Sequence, residues 1–515
     1  MRTVIVGAGS AGGVIATRLS EDARHEVLLV EAGPDYPDAI ASPKTLPTDL
    51  RNGRENSFRR HDWNYQYRAT NHPFWSAFAV PFPRGRVVGG SSSVNTCIAL
   101  RGQPYDYDEW AALGLREWAF SECLPAFKRL EHDLDFDNEW HGRAGPIPIR
   151  RHTEEELVPW QAIFLDACRQ VGFPSCGDTN DPTITGAGPH AMNKVNGERM
   201  GVLRTYLTAE VRARDNLHIV ANTLARRVRL RNGVAYALEV ERYGRVFEIL
   251  GDRFVLAAGA IASPGILLRS GIGPEEDVRR MGVEPLVHVP GVARRLLDHP
   301  GLAVFFLPKA RGFSDPTTHP LIQTVCRYTS TESACPSDIQ LQPGSFVPLP
   351  DRSFPLVTLA VCLGKPVASG TLRYHSAHVH DSPVIRSGLG ADKEDQARIF
   401  EALRWIGKLA RTKGVSDVVN FIYPSRKPFD DEGNFRGPLW QVMGSGYHPC
   451  GTIPMGTDDD PFAATCGRGR VRGTHGLFVA DASLFPTIPS ANTNLPTLML
   501  GERFGEWLRD DTCGT

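Results

Sequence analysis

Short apolar runs separated by polar turns organise the chain. Val4–Val6 reads as a buried strand, Ser10–Ser20 as a helix with apolar Val14, Ile15 and Leu19, and Val27–Val30 as a second buried strand. Together they predict one βαβ unit. From Gly33 to Gly90 periodicity is lost in a long, turn-rich, aromatic-rich stretch. Such a length of loop inside a compact domain is expected to cover a ligand. A helical period returns at Leu157–Val171, Leu217–Leu256 reads mostly as strand, and residues 306–390 alternate as antiparallel strands do. Lys393–Lys413 carries Ile399, Leu403, Ile406 and Ala410 at helical spacing, with Phe400 beside them. The last pattern is again βα: Leu477–Ala480, a Pro/Ser/Asn loop, then a helix from Leu495 to Leu508.

Composition excludes more than it identifies. The 515 residues correspond to two to four units at roughly 150 residues each, or to one interleaved fold. Lys+Arg (57) balance Asp+Glu (58), so no basic surplus points to nucleic acid or an anionic membrane. No run of 18 apolar residues predicts a membrane span, and the apolar opening is too short for a secretory signal. Ten cysteines without a C-x-x-C suggest neither a zinc knuckle nor a disulfide framework, and reduced thiols make the cytoplasm the expected compartment. No heptad run or internal repeat points to an oligomeric state.

The sharpest local signal is Gly7-Ala8-Gly9-Ser10-Ala11-Gly12, set between a strand and a helix, with Glu31 nineteen residues after Gly12. Gly7 permits the tight turn, Gly9 lets main chain approach a pyrophosphate, and Gly12 allows close helix–strand packing. The helix N-terminus faces the phosphates, and Glu31 accepts hydrogen bonds from ribose hydroxyls. A lone pattern of this kind is often only a turn; strand, helix and acid together predict a dinucleotide site. The acid argues for FAD or NAD over NADP. Gly85–Asn95, with Gly89-Gly90 followed by three serines, lets main chain approach a planar ring; read alone, it is equally a flexible turn. His375-Ser376-Ala377-His378-Val379-His380-Asp381 would place two imidazoles on one face if it formed a strand, but no third ligand is evident and the stretch fits a polar hairpin, so no metal is assigned.

Several stretches resemble the glucose–methanol–choline (GMC) oxidoreductases. Gly85–Asp108, including Asn95 and Arg101-Gly102-Gln103-Pro104-Tyr105-Asp106-Tyr107-Asp108, is similar to the family's first signature, and Gly259–Gly273 to its second. Gly291-Val292 with Asp298-His299-Pro300, His448-Pro449-Cys450-Gly451-Thr452, Ala480-Asp481-Ala482-Ser483 and Asn492-Thr493-Asn494-Leu495-Pro496 also match. With the glycine loop, these are seven ordered motifs running from Gly7 to Pro496. Glu31-Ala32-Gly33 and the long loop after it resemble flavoproteins more than nicotinamide enzymes.

The resemblance implies an FAD enzyme that oxidises an alcohol to a carbonyl, the hydride passing to flavin N5. His448 falls at the family's catalytic histidine and is the expected base; Asn492 falls at the second catalytic position and would hold the alcohol oxygen. Implied cofactor contacts are Gly7, Gly9, Ser10, Ala11, Gly12, Glu31, Ala32, Val88, Gly89, Asn95, Ala225, Ala480, Asp481 and Thr493. Val94 stands where some members carry a tethering histidine, so FAD is expected to be non-covalent. Cys97 and Cys450 are expected to be packing residues, and Cys362 to line the substrate pocket. The expected class is α/β (α+β): a discontinuous Rossmann-like FAD-binding domain (1–155, 203–305 and 440–515) with an inserted substrate domain (156–202 and 306–439) built on an antiparallel sheet with helices. Pro489–Leu500 and Gly145–Ile149 look most like the bacterial hydroxymethylfurfural and aryl-alcohol oxidase branch. The expected substrate is therefore a small primary aromatic or furanic alcohol, with O2 reoxidising the flavin to give hydrogen peroxide. Alternatives are a dehydrogenase passing electrons to a quinone or protein carrier, a flavin-dependent hydroxynitrile lyase, and a non-catalytic flavin-binding protein.

Overall fold

The computed structural model describes residues 1–38, 42–56, 61, 67–71, 79–331, 333–349, 352–423 and 443–511. The first apolar run is the strand Arg2–Val6, at the centre of a five-stranded parallel sheet. Across the sheet the order is Leu217–Val220, Glu26–Val30, Arg2–Val6, Arg253–Leu256 and Leu477–Val479. Numbered along the chain, that order is 3-2-1-4-5, the doubly wound arrangement of dinucleotide-binding sheets. Both faces are covered, which is why these strands read as continuous apolar runs rather than alternating ones. Val4, Ile5, Val27, Leu29 and Phe254 are fully buried. In register, Val4 sits between Leu28 and Phe254.

The helix Gly12–Leu19 follows the first strand, and the last helix, Asn494–Arg509, packs against it. A buried carboxylate joins the two: Glu502 takes a forked pair of hydrogen bonds from Arg18 (Nε to Oε2 2.8 Å, Nη2 to Oε1 2.9 Å) and a third from the Tyr206 hydroxyl. The two ends of the chain thus form one layer over the sheet.

A second apolar core lies on a seven-stranded antiparallel sheet. Its main path runs Val419–Tyr423, Pro300–Pro308, Val357–Leu363, Ile339–Gly344, Thr324–Tyr328 and Gly186–Pro189, with Gly444–Ser445 pairing onto Pro300–Gly301. Trp160 and Phe164 from the helix Pro159–Gln170, and Ile399, Leu403 and Ile406 from the helix Lys393–Arg411, fill this core. Asp392 caps the longer helix, accepting from Glu394 N at 2.8 Å. The expected fold class is therefore the observed one: a Rossmann-like α/β unit beside an antiparallel sheet with helices. The expected boundary between residues 439 and 440 lies outside the described residues, as do parts of the long loop between Gly33 and Gly90.

The helices Pro104–Ala112 and Phe120–Leu130 were not legible as such, although Tyr107 and Trp110, then Cys123, Phe127 and Leu130, recur at helical spacing and bury one face of each. The His375–His380 stretch belongs to a polar hairpin, as expected, in the connection that joins Thr371–Arg373 to Val384–Arg386. Its imidazoles are not aimed at a shared ligand: His380 Nε2 meets Glu241 Oε1 at 2.9 Å, and His378 Nδ1 lies 3.5 Å from Asp381.

Candidate active site

The carboxyl ends of the parallel strands open onto one cavity of about 570 Å³, where open α/β sheets bind their ligands. Gly7 arrives from the first strand, Glu31 and Ala32 from the second, Ala257 and Ala258 from the fourth, and Asp481 from the fifth. Gly7 has φ +102° and donates its N–H to Val30 O at 2.7 Å, which turns the chain sharply out of the sheet. Gly9, Ser10 and Ala11 form the wall at the N-terminal end of the first helix, where N–H groups and the helix dipole favour an anion. Ser10 Oγ donates to Asn494 Oδ1 at 2.8 Å.

Glu31 is buried at the next corner. Its carboxylate accepts from Ala8 N at 2.9 Å and Gly33 N at 2.8 Å. Burial pushes its pKa up to about 7 against the pull of those N–H groups and Arg86. Ala225, Asn95, Val94 and Thr493 also face the cavity. Gly12, Val88, Gly89 and Ala480 stand immediately behind the wall instead. Gly89 N donates to Ala8 O at 2.7 Å and Ala480 N to Leu256 O at 2.8 Å, while Gly90 and Ser91 provide the surface expected of Val88 and Gly89. Asp481 holds the second signature in place, accepting from Gly259 N at 2.8 Å and Ser263 Oγ at 2.6 Å.

His448 and Asn492 both line this cavity. His448 Nε2 and Asn492 Nδ2 are 3.1 Å apart. The His448 backbone is anchored by Asp298, whose Oδ1 accepts its N–H at 2.8 Å and whose other oxygen accepts from Ser445 Oγ. Burial pushes Asp298 up to about 6. Burial, with repulsion from His299 wherever that ring is itself protonated and from Arg84, holds His448 well below the usual imidazole range, so the ring is neutral at neutral pH. The sequence names His299 only as part of a recognised segment, without a role, and does not single out Arg84 or Tyr447. His299 Nδ1 lies 2.9 Å from His448 Nδ1. Arg84 donates to Tyr447 O at 2.6 Å, and both of these residues face the cavity. For Arg84 and Tyr447 the local signal is proximity to recognised motifs. Cys362 sits on its expected strand but not in the cavity wall, and neither Cys97 nor Cys450 reaches it. Burial raises all three thiols, which are therefore protonated.

Two family models, each described as GMC oxidoreductase, match residues 1–301 and 366–501. The chain belongs to the GMC oxidoreductases. It is 33% identical to 5-(hydroxymethyl)furfural oxidase of Methylovorus sp. (strain MP688), over 98% of this chain and 97% of the relative. It is 30% identical to oxygen-dependent choline dehydrogenase of Rhizobium rhizogenes (strain K84 / ATCC BAA-868), over 97% and 94%. Among solved structures, pyridoxine 4-oxidase from Mesorbium loti superposes with a TM-score of 0.88 at 27% identity, over 98% of both chains. GMC oxidoreductases are FAD enzymes, and this cavity fits the cofactor. Gly9–Ala11 offer a helix N-terminus to its pyrophosphate, and the buried Glu31 carboxylate sits beside them for a ribose. Gly259, at φ +83°, has open space where a Cβ would stand. Val94 in the wall is a hydrocarbon and forms no bond to a flavin.

A separate buried cluster lies apart from this cavity. Among the described residues, Glu131, Asp133 and His141 form the one group of three potential metal donors with ligand atoms within 4.8 Å. It is already ion-paired: His141 Nε2 meets Asp178 at 2.7 Å, Arg101 pairs with Glu131 at 2.9 Å, and Arg151 pairs with Asp133 and Asp178 at 2.6 Å each. Burial opposes charge on His141, but hydrogen bonds from the ring to Asp133, Asp178 and Glu131 outweigh it and lift the pKa to about 10. The carboxylates are thus already engaged by cations of the protein, Arg151 also lying 3.5 Å from Asp135.

Proposed function

We propose that this GMC oxidoreductase oxidises a primary alcohol, aromatic or furanic, to the aldehyde, with O2 as final acceptor and hydrogen peroxide as second product. The observation that carries the reading is the His448–Asn492 pair, 3.1 Å apart in the wall of the cavity that fits the dinucleotide. When bound, FAD supplies the acceptor for the hydride that leaves the alcohol carbon. The alcohol proton must leave as well, and a neutral His448 takes it at Nε2. Asn492, with a second amide hydrogen free for the task, holds the alcohol oxygen and stabilises its developing negative charge. Gly7, Gly9, Ser10, Ala11, Glu31, Ala32, Asn95, Ala225, Asp481 and Thr493 hold the cofactor, with Gly12, Val88, Gly89 and Ala480 supporting that wall from behind. In this reading residues 1–155, 203–305 and 440–515 serve the cofactor, while 156–202 and 306–439 shape the substrate end.

An uncharged substrate suits the cavity better than a quaternary ammonium. Arg84 faces the cavity beside Tyr447 and already depresses the His448 pKa, so a second cation there is repelled. The furfural oxidase relative supports the same class. Anaerobic addition of benzyl alcohol, hydroxymethylfurfural, choline and pyridoxine to the yellow holoenzyme tests the reading. Bleaching by the first two, with peroxide formed on admitting air, is expected. Bleaching by none of them contradicts alcohol oxidation, and bleaching without peroxide replaces O2 by another acceptor.

A further inference from the structure

His299 lies in direct contact with His448 on the side away from Asn492, and its own surroundings dictate its protonation. The ring is 1% exposed, and its Nε2 lies between two backbone carbonyls, Pro489 O at 2.9 Å and Gly364 O at 3.0 Å. Carbonyl oxygens only accept, so Nε2 carries a hydrogen. Burial pushes the pKa of the ring down to about 4, so at neutral pH it holds one proton and no more. Nδ1 of His299 is therefore a bare lone pair. Its neighbour at 2.9 Å is Nδ1 of His448, and a contact of that length between two ring nitrogens needs one hydrogen. His448 supplies it. Because His448 is also neutral, its single proton is spent on Nδ1, and Nε2 is left bare beside Asn492. Two carbonyls from distant parts of the chain thus determine, through two rings, which nitrogen of His448 presents a lone pair. The amide of Asn492 follows: it turns its NH2 toward Nε2, as observed. The rings meet edge-on at 76°, with centroids 5.0 Å apart, and Gly446 keeps them close, since a Cβ there would stand 2.9 Å from His448 Nδ1.

We propose that His299 is the positioning residue of this site: it locks His448 as the Nδ1–H tautomer and shares the positive charge when Nε2 takes a proton from substrate. This rests on the reading of His448 as the base. The role parallels that of the third group in a nucleophile–base–orienter arrangement, with a neutral imidazole in place of a carboxylate. When His448 gains its second proton, its Nδ1–H bond to His299 strengthens and the cation is stabilised. The other charged groups around the pair act alongside. Arg84 opposes the cation, as does Lys365 toward His299, while Asp298 binds the His448 main chain.

The test compares four FAD-loaded proteins: wild type, His299→Leu, His299→Asn and His448→Ala. Asn places an amide oxygen near the original Nδ1 and an NH2 toward the carbonyls, so it preserves the acceptor; Leu removes it. Loss of the correct tautomer in a related arrangement costs about 10⁴-fold when a carboxylate is the orienter; with a neutral partner the expected loss of the anaerobic reduction rate in His299→Leu is about 10²-fold. KM should stay within about threefold, and the acidic limb of the kcat/KM profile should move to lower pH because the imidazolium has lost its acceptor. His299→Asn should recover to within about tenfold of wild type. Independently of turnover, ¹⁵N-histidine NMR of the wild-type protein should show His448 protonated at Nδ1 and His299 at Nε2. If His299→Leu retains the wild-type rate and profile, or if Asn and Leu are equally slow, the proposal fails. It also fails if NMR places the His448 proton on Nε2, a readout that stands even should the Leu variant not fold. Retained activity in His448→Ala would instead overturn the base reading itself.

Discussion

Gly12→Ala isolates the close packing on which the dinucleotide end depends. A Cβ on Gly12 would stand 1.9 Å from Gly7 O and 3.1 Å from the Ala257 Cβ. Real contacts of this kind do not fall below 3.0 Å, so helix and strand must separate by about 1.1 Å, the difference between those two distances. Neither neighbour is a flexible side-chain tip: one is the carbonyl of the turn glycine, the other belongs to a strand end. Overpacking of this sort costs about 1–3 kcal/mol, of which the better helix propensity of Ala returns under 1 kcal/mol at a helix start. The same displacement carries Gly9, Ser10 and Ala11 away from the phosphate position. A 10- to 100-fold weaker FAD dissociation constant, about 1.4–2.8 kcal/mol, is expected. Titrating apoprotein with FAD and following flavin fluorescence measures this directly, with thermal unfolding of the holoenzyme alongside. Gly177→Ala is the control, since nothing lies within 4 Å of its Cβ position. If Gly12→Ala binds FAD with wild-type affinity, the packing reasoning is refuted.

Two further outcomes test the energetics away from the cavity. Gly407 lies inside the helix Lys393–Arg411 with nothing within 4 Å of a new Cβ, so Gly407→Ala should stabilise by about 0.5–1 kcal/mol in chemical denaturation without altering FAD affinity; a destabilised protein would contradict the open-space reading. His141, held at about 10 in the folded protein against about 6.5 unfolded, gives its full stabilisation below pH 6.5 and loses it as pH rises through 10. The difference in Tm between wild type and His141→Gln should therefore narrow from pH 6.5 to pH 10, and a constant difference would exclude a charged His141.

What could be read in advance was local. The strands of the parallel sheet were visible because burial on both faces leaves apolar runs such as Val27–Val30, and the glycine turn because each glycine has a separate steric task. His448 and Asn492 were found through flanking motifs, and the fold brings them together across 44 residues. Pairings set by distance in the chain were not legible: nothing in Leu217–Val220 states that it lies beside Glu26–Val30. His299 was invisible as a partner for the same reason. Its protonation depends on the carbonyls of Gly364 and Pro489, and a carbonyl leaves no mark in a sequence. Val88 and Gly89 were read one or two residues early, because the turn at Gly89–Gly90 sends the following residues, not these, to the surface of the cavity.

The central claim is that His448 removes the alcohol proton while the cofactor site remains intact around it. Mixing anaerobic holoenzyme with a primary alcohol that bleaches the wild-type flavin, and timing the loss of visible absorbance in wild type and His448→Ala, tests it in one experiment. The expected result is a yellow variant with unchanged FAD content whose reduction is slower by about 10²–10⁴-fold. Reduction of His448→Ala at the wild-type rate would contradict the account.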